Sequence, residues 1–269
     1  MSSTPTVPRT LHYADHSPVR GLAIAERRVE EPEATLICIH GGLDRGASFG
    51  RLARRLETFD VVAYDRRGYQ RSRGLAPLSL ELHIDDLLAV AGTEAARGPV
   101  MYFGHSYGGV VALGAALANP TLTQLVIAYE VPLPWILARK SSRPPLSSDA
   151  AMESEIFFKR LVSPGAWERL SEAERESRRL DGPALVSDLT TLTPEPPFNL
   201  ADLSTPTVFV HGDGMLVDYY RALGQKLGHV SPVISLREIR GAGHGAHLSN
   251  PDQLAVLIRD RWEQRCALA

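Results

Sequence analysis

Short, continuous apolar runs alternate along this chain with longer stretches whose apolar residues recur at helical spacing. Runs that are apolar at every position are typical of strands buried on both faces. The run at 34–39 is of this kind, and further strands are predicted at 20–28, 60–64, 99–103, 124–129, 207–210 and 233–239. Helices are predicted near 49–56, 80–95, 109–118 and 251–262. This alternation predicts an α/β protein with a doubly wound, mostly parallel sheet.

Polar and glycine-rich clusters follow the predicted strands at the point where each strand ends. They are His40-Gly41-Gly42, Asp65-Arg66-Arg67-Gly68, the turn around Ser106, His211-Gly212-Asp213 and Gly243-His244. In open parallel sheets, the active site lies beyond the carboxyl ends of the strands. We therefore expect these clusters to meet at one edge of the sheet.

Residues 132–200 interrupt the alternation of strands and helices. This stretch is rich in proline, and helical pieces are predicted between the prolines at 150–161 and 171–180. A proline-punctuated helical insertion in an α/β chain favours a cap over the active edge. The sequence thus predicts a core of two parts, 1–131 and 201–269, with a helical cap or lid at 132–200.

Composition and charge limit the classes of partner. The formal net charge of −2 does not favour nucleic acid or an anionic membrane as a partner. No apolar run is long enough to span a bilayer, and the first residues lack a signal-peptide pattern. The two cysteines, Cys38 and Cys266, suggest free thiols in a cytoplasmic protein. We expect no metal, no cofactor, a small-molecule substrate, and a monomer or homodimer.

The segment Gly104-His105-Ser106-Tyr107-Gly108 carries the strongest chemical signal of the chain. It reads Gly-x-Ser-x-Gly between a predicted strand and a helix rich in small residues. The flanking glycines allow the helix and strand to approach closely while the serine takes a strained backbone conformation. Ser106 is therefore expected to stand exposed at a helix N-terminus.

These motifs, in this order, resemble the α/β-hydrolase superfamily over nearly the whole chain. The resemblance rests on His40-Gly41-Gly42, on Asp65-x-Arg67-Gly68-x-x-x-Ser72, on the Ser106 turn with Gly109, and on Gly243-His244. It is closest to the lid-bearing, cofactor-free branch of esterases, lactonases, C–C hydrolases and dehalogenases. Gln70 departs from the pattern, because this position is usually glycine in the family.

The resemblance implies a role for each of these clusters. Ser106 would be the nucleophile, and His244 its base, since a serine hydroxyl needs an adjacent base at neutral pH. Tyr107 and Gly42 would donate the backbone N–H groups of an oxyanion hole, with Leu43 as the fallback. The Asp65 loop and the other histidines, His247 included, are interpreted as structural.

The acidic member of the triad stays open between two residues. The common family position, third after His211-Gly212, is Met215, which cannot orient an imidazole. One alternative is Asp213. The other is Glu130, which follows a strand and precedes a proline-containing entry, as in relatives that resemble haloalkane dehalogenases. We favour Glu130 as the acid, with Asp213 second.

Apolar residues of the predicted cap suggest the class of substrate. Trp135, Phe157 and Phe158 of the cap, together with Leu43 after the strand at 34–39, are the candidate contacts for a small-to-medium hydrophobic ester, lactone or thioester. The expected reaction is hydrolysis through an acyl-enzyme on Ser106, whereas dehalogenases and epoxide hydrolases of this type use an aspartate. Alternatives are a C–C hydrolase or lyase, a biosynthetic cyclase or acyltransferase, and a non-catalytic protein that binds a ligand or partner and keeps the fold.

Overall fold

Eight strands form one sheet in the computed structural model, which describes residues 10–14, 19–76, 78–138, 145–162 and 164–267. The strands are β1 (His12–Tyr13), β2 (Ile24–Arg27), β3 (Thr35–Ile39), β4 (Asp60–Tyr64), β5 (Val100–His105), β6 (Leu125–Tyr129), β7 (Thr207–Gly212) and β8 (Ile234–Ile239). Their spatial order is β1-β2-β4-β3-β5-β6-β7-β8. Strand β2 pairs antiparallel with both of its neighbours, β1 and β4, and all the other neighbouring strands pair in parallel. The predicted fold class, a mostly parallel doubly wound sheet, is confirmed.

Ten α-helices connect or flank these strands in the described part of the chain. They are α1 (Gly50–Ala53), α2 (Leu80–Ala95), α3 (Tyr107–Ala118), α4 (Ala150–Leu161), α5 (Pro164–Glu168), α6 (Glu172–Leu180), α7 (Gly182–Thr190), α8 (Val217–Val230), α9 (Ala246–Ser249) and α10 (Pro251–Cys266). None of the described helices is both long enough and apolar enough to cross a membrane.

The central strands are buried on both faces, which explains their unbroken apolar sequences. Successive residues of β3 point to opposite sides, so that Ile37 and Ile39 join one core cluster while Leu36 and Cys38 join the other. Helices α2, α3 and α8 cover the first face, and α1 and α10 cover the second. The sheet is thereby enclosed between two helical layers.

Two sequence predictions differ from the structure near the first helix and the first long strand. The helix expected near 49–56 is a 3-10 turn (Gly46–Phe49) followed by the single turn of α1. A side chain at Gly46 would meet the backbone of Tyr64 at 3.1 Å, so the 3-10 turn packs directly on the end of β4. The strand expected at 20–28 is shorter, because Arg20 and Gly21 adopt positive φ before β2.

Helices α4 to α7 all follow β6 and precede β7 in the sequence. Polar contacts join α7, and the residue just before it, to the loop after β4. Asp188 of α7 forms a 2.5 Å ion pair with Arg66, and both side chains are buried. Asp181, which precedes α7, pairs with Arg73 at 2.6 Å. The division into core and cap remains a prediction, and residues 139–144 of the proposed cap lie outside the described residues.

Candidate active site

Ser106 occupies a strained turn between β5 and α3. Its φ of 53° and ψ of −124° lie outside the regions that non-glycine residues normally adopt. A Cβ at Gly104 would lie 2.5 Å from Gly109 Cα, and one at Gly108 would overlap the carbonyl oxygen of Ile39. Both glycines are therefore required for the close crossing of strand and helix. The turn leaves Ser106 half-buried at the wall of a cavity.

Glu130 and His244 are joined by a hydrogen bond of 2.7 Å between Oε2 and Nδ1. Because a carboxylate can only accept, Nδ1 carries a proton, and in a neutral imidazole Nε2 then keeps its lone pair. The second oxygen of Glu130 accepts from the backbone N–H of Gly212 at 3.0 Å. These two bonds satisfy a carboxylate whose side chain is only 6% exposed.

The backbone around Glu130 is also held in an unusual conformation. Its φ is 46°, immediately after the last residue of β6. Its N–H donates to Val210 O at 2.8 Å, and its carbonyl accepts from the hydroxyl of Tyr220 at 3.0 Å. Contacts to β7 and α8 therefore stabilise the left-handed turn and direct the carboxylate toward His244.

The two other candidate positions for the acid lie elsewhere. Asp213 is exposed, and its Oδ1 accepts from the backbone N–H of Gly241 at 2.8 Å. This contact links the loop after β7 to the loop after β8. Met215 is 92% exposed, at the rim of the cavity. Of the three positions considered from sequence, only Glu130 has a carboxylate in contact with His244.

Two further histidines lie behind His244. His105 donates from Nε2 to the carbonyl of His244 at 2.7 Å, and the two rings lie 4.7 Å apart. Burial lowers the pKa of His105 well below its usual value, and the nearby His247 and His244 lower it further. A neutral His105 therefore supports the backbone of His244.

His247 lies on the far side of His105, with ring centroids 4.7 Å apart. Its Nε2 is 3.2 Å from Asp44 Oδ2, close enough for an ion pair although the angle is poor for a hydrogen bond. Asp44, His105 and His247 have potential ligand atoms within 4.8 Å of one another, and are the one such group of metal donors among the described residues. These contacts hold together the segments that contain Asp44, His105 and His247.

Two backbone segments converge on Ser106 where an oxyanion hole is expected. A Cβ at Gly41 would lie 2.9 Å from Ser106 Cβ, so this segment packs directly on the serine turn. Gly42 and Tyr107 both line the cavity. Tyr107 is the first residue of α3, whose N–H has no acceptor within the helix. The tyrosine hydroxyl is not free, because it bonds Thr191 Oγ1 at 2.7 Å.

The cavity above these residues has a volume of about 700 Å³. Its floor includes Ser106, Gly42 and His244, and its far wall comes from α4 and α7. A Cβ at Gly42 would lie 2.9 Å from Leu185 and 3.5 Å from the ring of Phe157, so glycine lets the insertion approach the floor closely. This volume suits a small or medium organic substrate.

Only one of the four candidate substrate contacts, Phe157, lies on the cavity wall. The other three have packing partners elsewhere, and their contact with substrate stays a prediction. Leu43 packs with the leucines of α7, Trp135 packs edge-on against Phe198, and Phe158 packs against Trp167. An aromatic residue in a cap sequence does not reveal which face it presents, so sequence reasoning had no means of separating these cases.

A buried charged network under α7 was missed by the sequence analysis. Asp188 accepts from Arg66 and from the hydroxyl of Tyr69, at 2.5 and 2.6 Å. Burial opposes the charge of Asp188, but the Arg66 guanidinium outweighs it and holds the pKa of Asp188 below its usual range. The Arg66 guanidinium also lies over the rings of Tyr69 and Tyr107. No motif marks Asp188, which occupies an ordinary polar position of a helix.

Gln70, which departs from the usual glycine, has a φ of 45°. Its backbone N–H donates to Asp181 Oδ1 at 3.0 Å, and its side-chain amide donates to Asp181 Oδ2. These contacts compensate the strain that a glycine would avoid. The departure from the family pattern is therefore matched by an acidic residue in the insertion.

The sequence of this chain is similar to those of known proteins. The sequence model of the Alpha/beta hydrolase family matches residues 36–257. The chain is 26% identical over 261 residues to "Putative carbamate hydrolase RutD" of Stutzerimonas stutzeri (strain A1501), which covers 88% of this chain and 94% of that protein. It is 28% identical over 149 residues to "Lipase LipV" of Mycobacterium tuberculosis (strain ATCC 25618 / H37Rv), covering 55% of this chain. That match spans about half of the lipase, 51% of its length.

Solved structures share the fold at lower sequence identity. The enol-lactonase from Burkholderia xenovorans LB400 superposes with a TM-score of 0.65 at 15% identity, covering 91% of this chain and 98% of the other. These values show a common architecture and leave the substrate to be argued from the site.

Proposed function

Because the chain belongs to the α/β hydrolase family and is similar to proteins named as hydrolases, we propose that it is a serine hydrolase acting through Ser106, His244 and Glu130. The observation that carries the proposal is the 2.7 Å hydrogen bond between Glu130 and His244 beside a cavity that the strained Ser106 turn also lines. An imidazole oriented by a carboxylate, lining the same cavity as a serine in a strained turn, is the arrangement that nucleophilic catalysis requires.

In the proposed first step, Ser106 Oγ attacks the carbonyl carbon of the substrate while its proton passes to His244 Nε2. Glu130 keeps Nδ1 protonated and stabilises the imidazolium that forms. The N–H groups of Tyr107 and Gly42 bind the oxyanion of the tetrahedral intermediate. Collapse of this intermediate expels the leaving group, which takes the proton from His244, and leaves an acyl ester on Ser106.

In the second step, His244 removes a proton from a water molecule that attacks the acyl ester. The tetrahedral intermediate then releases the carboxylic acid, and Ser106 regains its proton. The substrate that we propose is a small-to-medium ester, lactone or thioester, because Phe157, Leu161, Leu185 and Leu189 give the cavity an apolar wall.

Intact-mass measurement after exposure to a small fluorophosphonate tests the activated serine. We expect one phosphonyl adduct on the wild type, none on Ser106→Ala, and one on Ser249→Ala, which removes an exposed hydroxyl close to the site. An unlabelled wild type that is folded by circular dichroism would refute the proposal. Labelling of Ser106→Ala would place the reactive group on another residue.

A further inference from the structure

The charges that line the cavity are unequally compensated. Glu130 is paired with His244, and Asp188 is paired with Arg66. Arg160 is the one lysine or arginine among the described residues that line the cavity, and no ion pair joins it to a described carboxylate. Of the two acids that line the cavity, Asp188 has a cationic partner and Glu130 is held by hydrogen bonds, whereas Arg160 has no carboxylate partner in the described part of the chain.

The position of Arg160 on α4 explains why it reaches the cavity. Phe157, Arg160 and Leu161 are spaced three and four residues apart, which places them on one face of the helix, and all three line the cavity. The neighbouring Lys159 has its charge compensated by Glu155 at 2.8 Å and Glu168 at 3.4 Å. Two successive cations thus differ in surroundings because the helix turns them to different sides.

The geometry of α4 places Arg160 relative to the expected reacting centre. The ring of Phe157 reaches the region of Gly42 in the expected oxyanion hole. Arg160 lies one turn further along α4, about 4.5 Å along the helix axis. A short acyl chain bound to Ser106 against Phe157 would bring its far end toward the guanidinium.

From this arrangement we propose that Arg160 binds a carboxylate at the distal end of the acyl group. The substrate class is then a half-ester or half-thioester of a short dicarboxylic acid. The inference rests on the proposed function for the reaction, but it concerns binding, which is measurable without turnover. Because Arg160 is exposed, the interaction takes place at the mouth of the cavity and is sensitive to salt.

Two esters with the same leaving group and chain length test the proposal by kinetics. They are the mono-4-nitrophenyl ester of glutaric acid, which ends in a carboxylate, and 4-nitrophenyl pentanoate, which ends in a methyl group. We expect the wild type to favour the glutarate ester in kcat/KM. Arg160→Gln should raise KM for that ester about fivefold, the upper end of what an exposed ion pair contributes.

Arg160→Gln should change KM for 4-nitrophenyl pentanoate by less than twofold. Arg160→Lys should retain part of the preference for the glutarate ester. Arg169→Gln is the matched control, because it removes an exposed arginine of the same insertion that does not line the cavity. An equal loss with both esters in Arg160→Gln, or a wild type without preference for the glutarate ester, would overturn the proposal.

Calorimetric binding to Ser106→Ala separates this inference from the catalytic one. Monomethyl glutarate should bind more tightly than methyl pentanoate, and the addition of Arg160→Gln should abolish the difference. Preferential binding without hydrolysis by the wild type would uphold the carboxylate site and refute the proposed reaction. Equal binding of the two compounds would refute the carboxylate site.

Discussion

Replacement of Glu130 by glutamine tests the assignment of the acid while the side chain keeps its shape. Glu130 accepts one hydrogen bond from His244 Nδ1 and another from Gly212 N–H. A glutamine retains one acceptor oxygen and gains an NH₂ group. If the oxygen stays with Gly212, the NH₂ faces Nδ1, which must then act as acceptor, and Nε2 carries the proton and cannot act as a base.

In the other orientation of the glutamine amide, the oxygen faces His244 Nδ1 and the NH₂ group faces the N–H of Gly212. This orientation leaves a buried donor unsatisfied at a cost of about 1–3 kcal/mol. The variant also loses the carboxylate charge beside the imidazolium. Two unit charges about 4 Å apart attract by about 4 kcal/mol at an effective dielectric constant near 20. Since about 1.4 kcal/mol corresponds to a factor of ten, we expect kcat/KM to fall about 10³-fold.

Asp213→Asn is the matched comparison, because it changes an acid to its amide in the alternative candidate. Its Oδ1 accepts only from Gly241 N–H, and an asparagine oxygen can do the same. We expect kcat/KM to change by less than threefold. The assay is the continuous release of 4-nitrophenol from 4-nitrophenyl butanoate, with thermal unfolding as the control for folding. A larger loss in Asp213→Asn than in Glu130→Gln would refute the assignment of Glu130.

Four further predictions concern folding and stability. Asp188→Asn leaves Arg66 buried without its anion and should lower the free energy of unfolding in urea by about 3–5 kcal/mol; an unchanged urea midpoint would contradict it. Gly108→Ala should prevent folding or abolish activity, because the new Cβ overlaps the carbonyl at the end of β3. Gly92→Ala has open space in α2 and should stabilise by about 0.5–1 kcal/mol in the same assay. Burial lowers the pKa of His40 to about 4. Between pH 6.5 and pH 4 the unfolded chain therefore binds a proton on this histidine that the folded protein does not bind. The free energy of unfolding should fall by about 3 kcal/mol over that range, and an unchanged urea midpoint would refute this prediction.

The alternation of apolar runs and helical stretches was sufficient to predict the fold class. A strand that is apolar at every position, such as β3, must be covered on both faces, and helices of matching length follow in the sequence. The order of strands in the sheet and the antiparallel pairing of β1 and β2 were not predicted. Strand order and direction depend on which strand edges meet in space. Strands with similar apolar sequences do not specify which neighbour each one pairs with.

The candidate site divides in the same way. The identity and order of Ser106, Tyr107 and His244 are visible in local motifs, because tightly packed glycines flank Ser106 and a glycine-rich loop contains His244. The choice between Glu130 and Asp213 was open, since both are acidic residues at strand ends. The left-handed backbone of Glu130 and a bond from the N–H of Gly212 direct the Glu130 carboxylate to His244, and no short stretch of sequence contains this information.

The sequence by itself determined the family, the class of the sheet and the turns in which the candidate residues sit, because these depend on local periodicity and on glycines at required positions. Only the tertiary structure decided which carboxylate meets the imidazole, which aromatic residue of the insertion faces the cavity, and where Asp188 and Arg160 place their charges. Contacts between distant segments depend on the direction in which each side chain leaves its helix or strand. That direction follows from the packing of the whole chain.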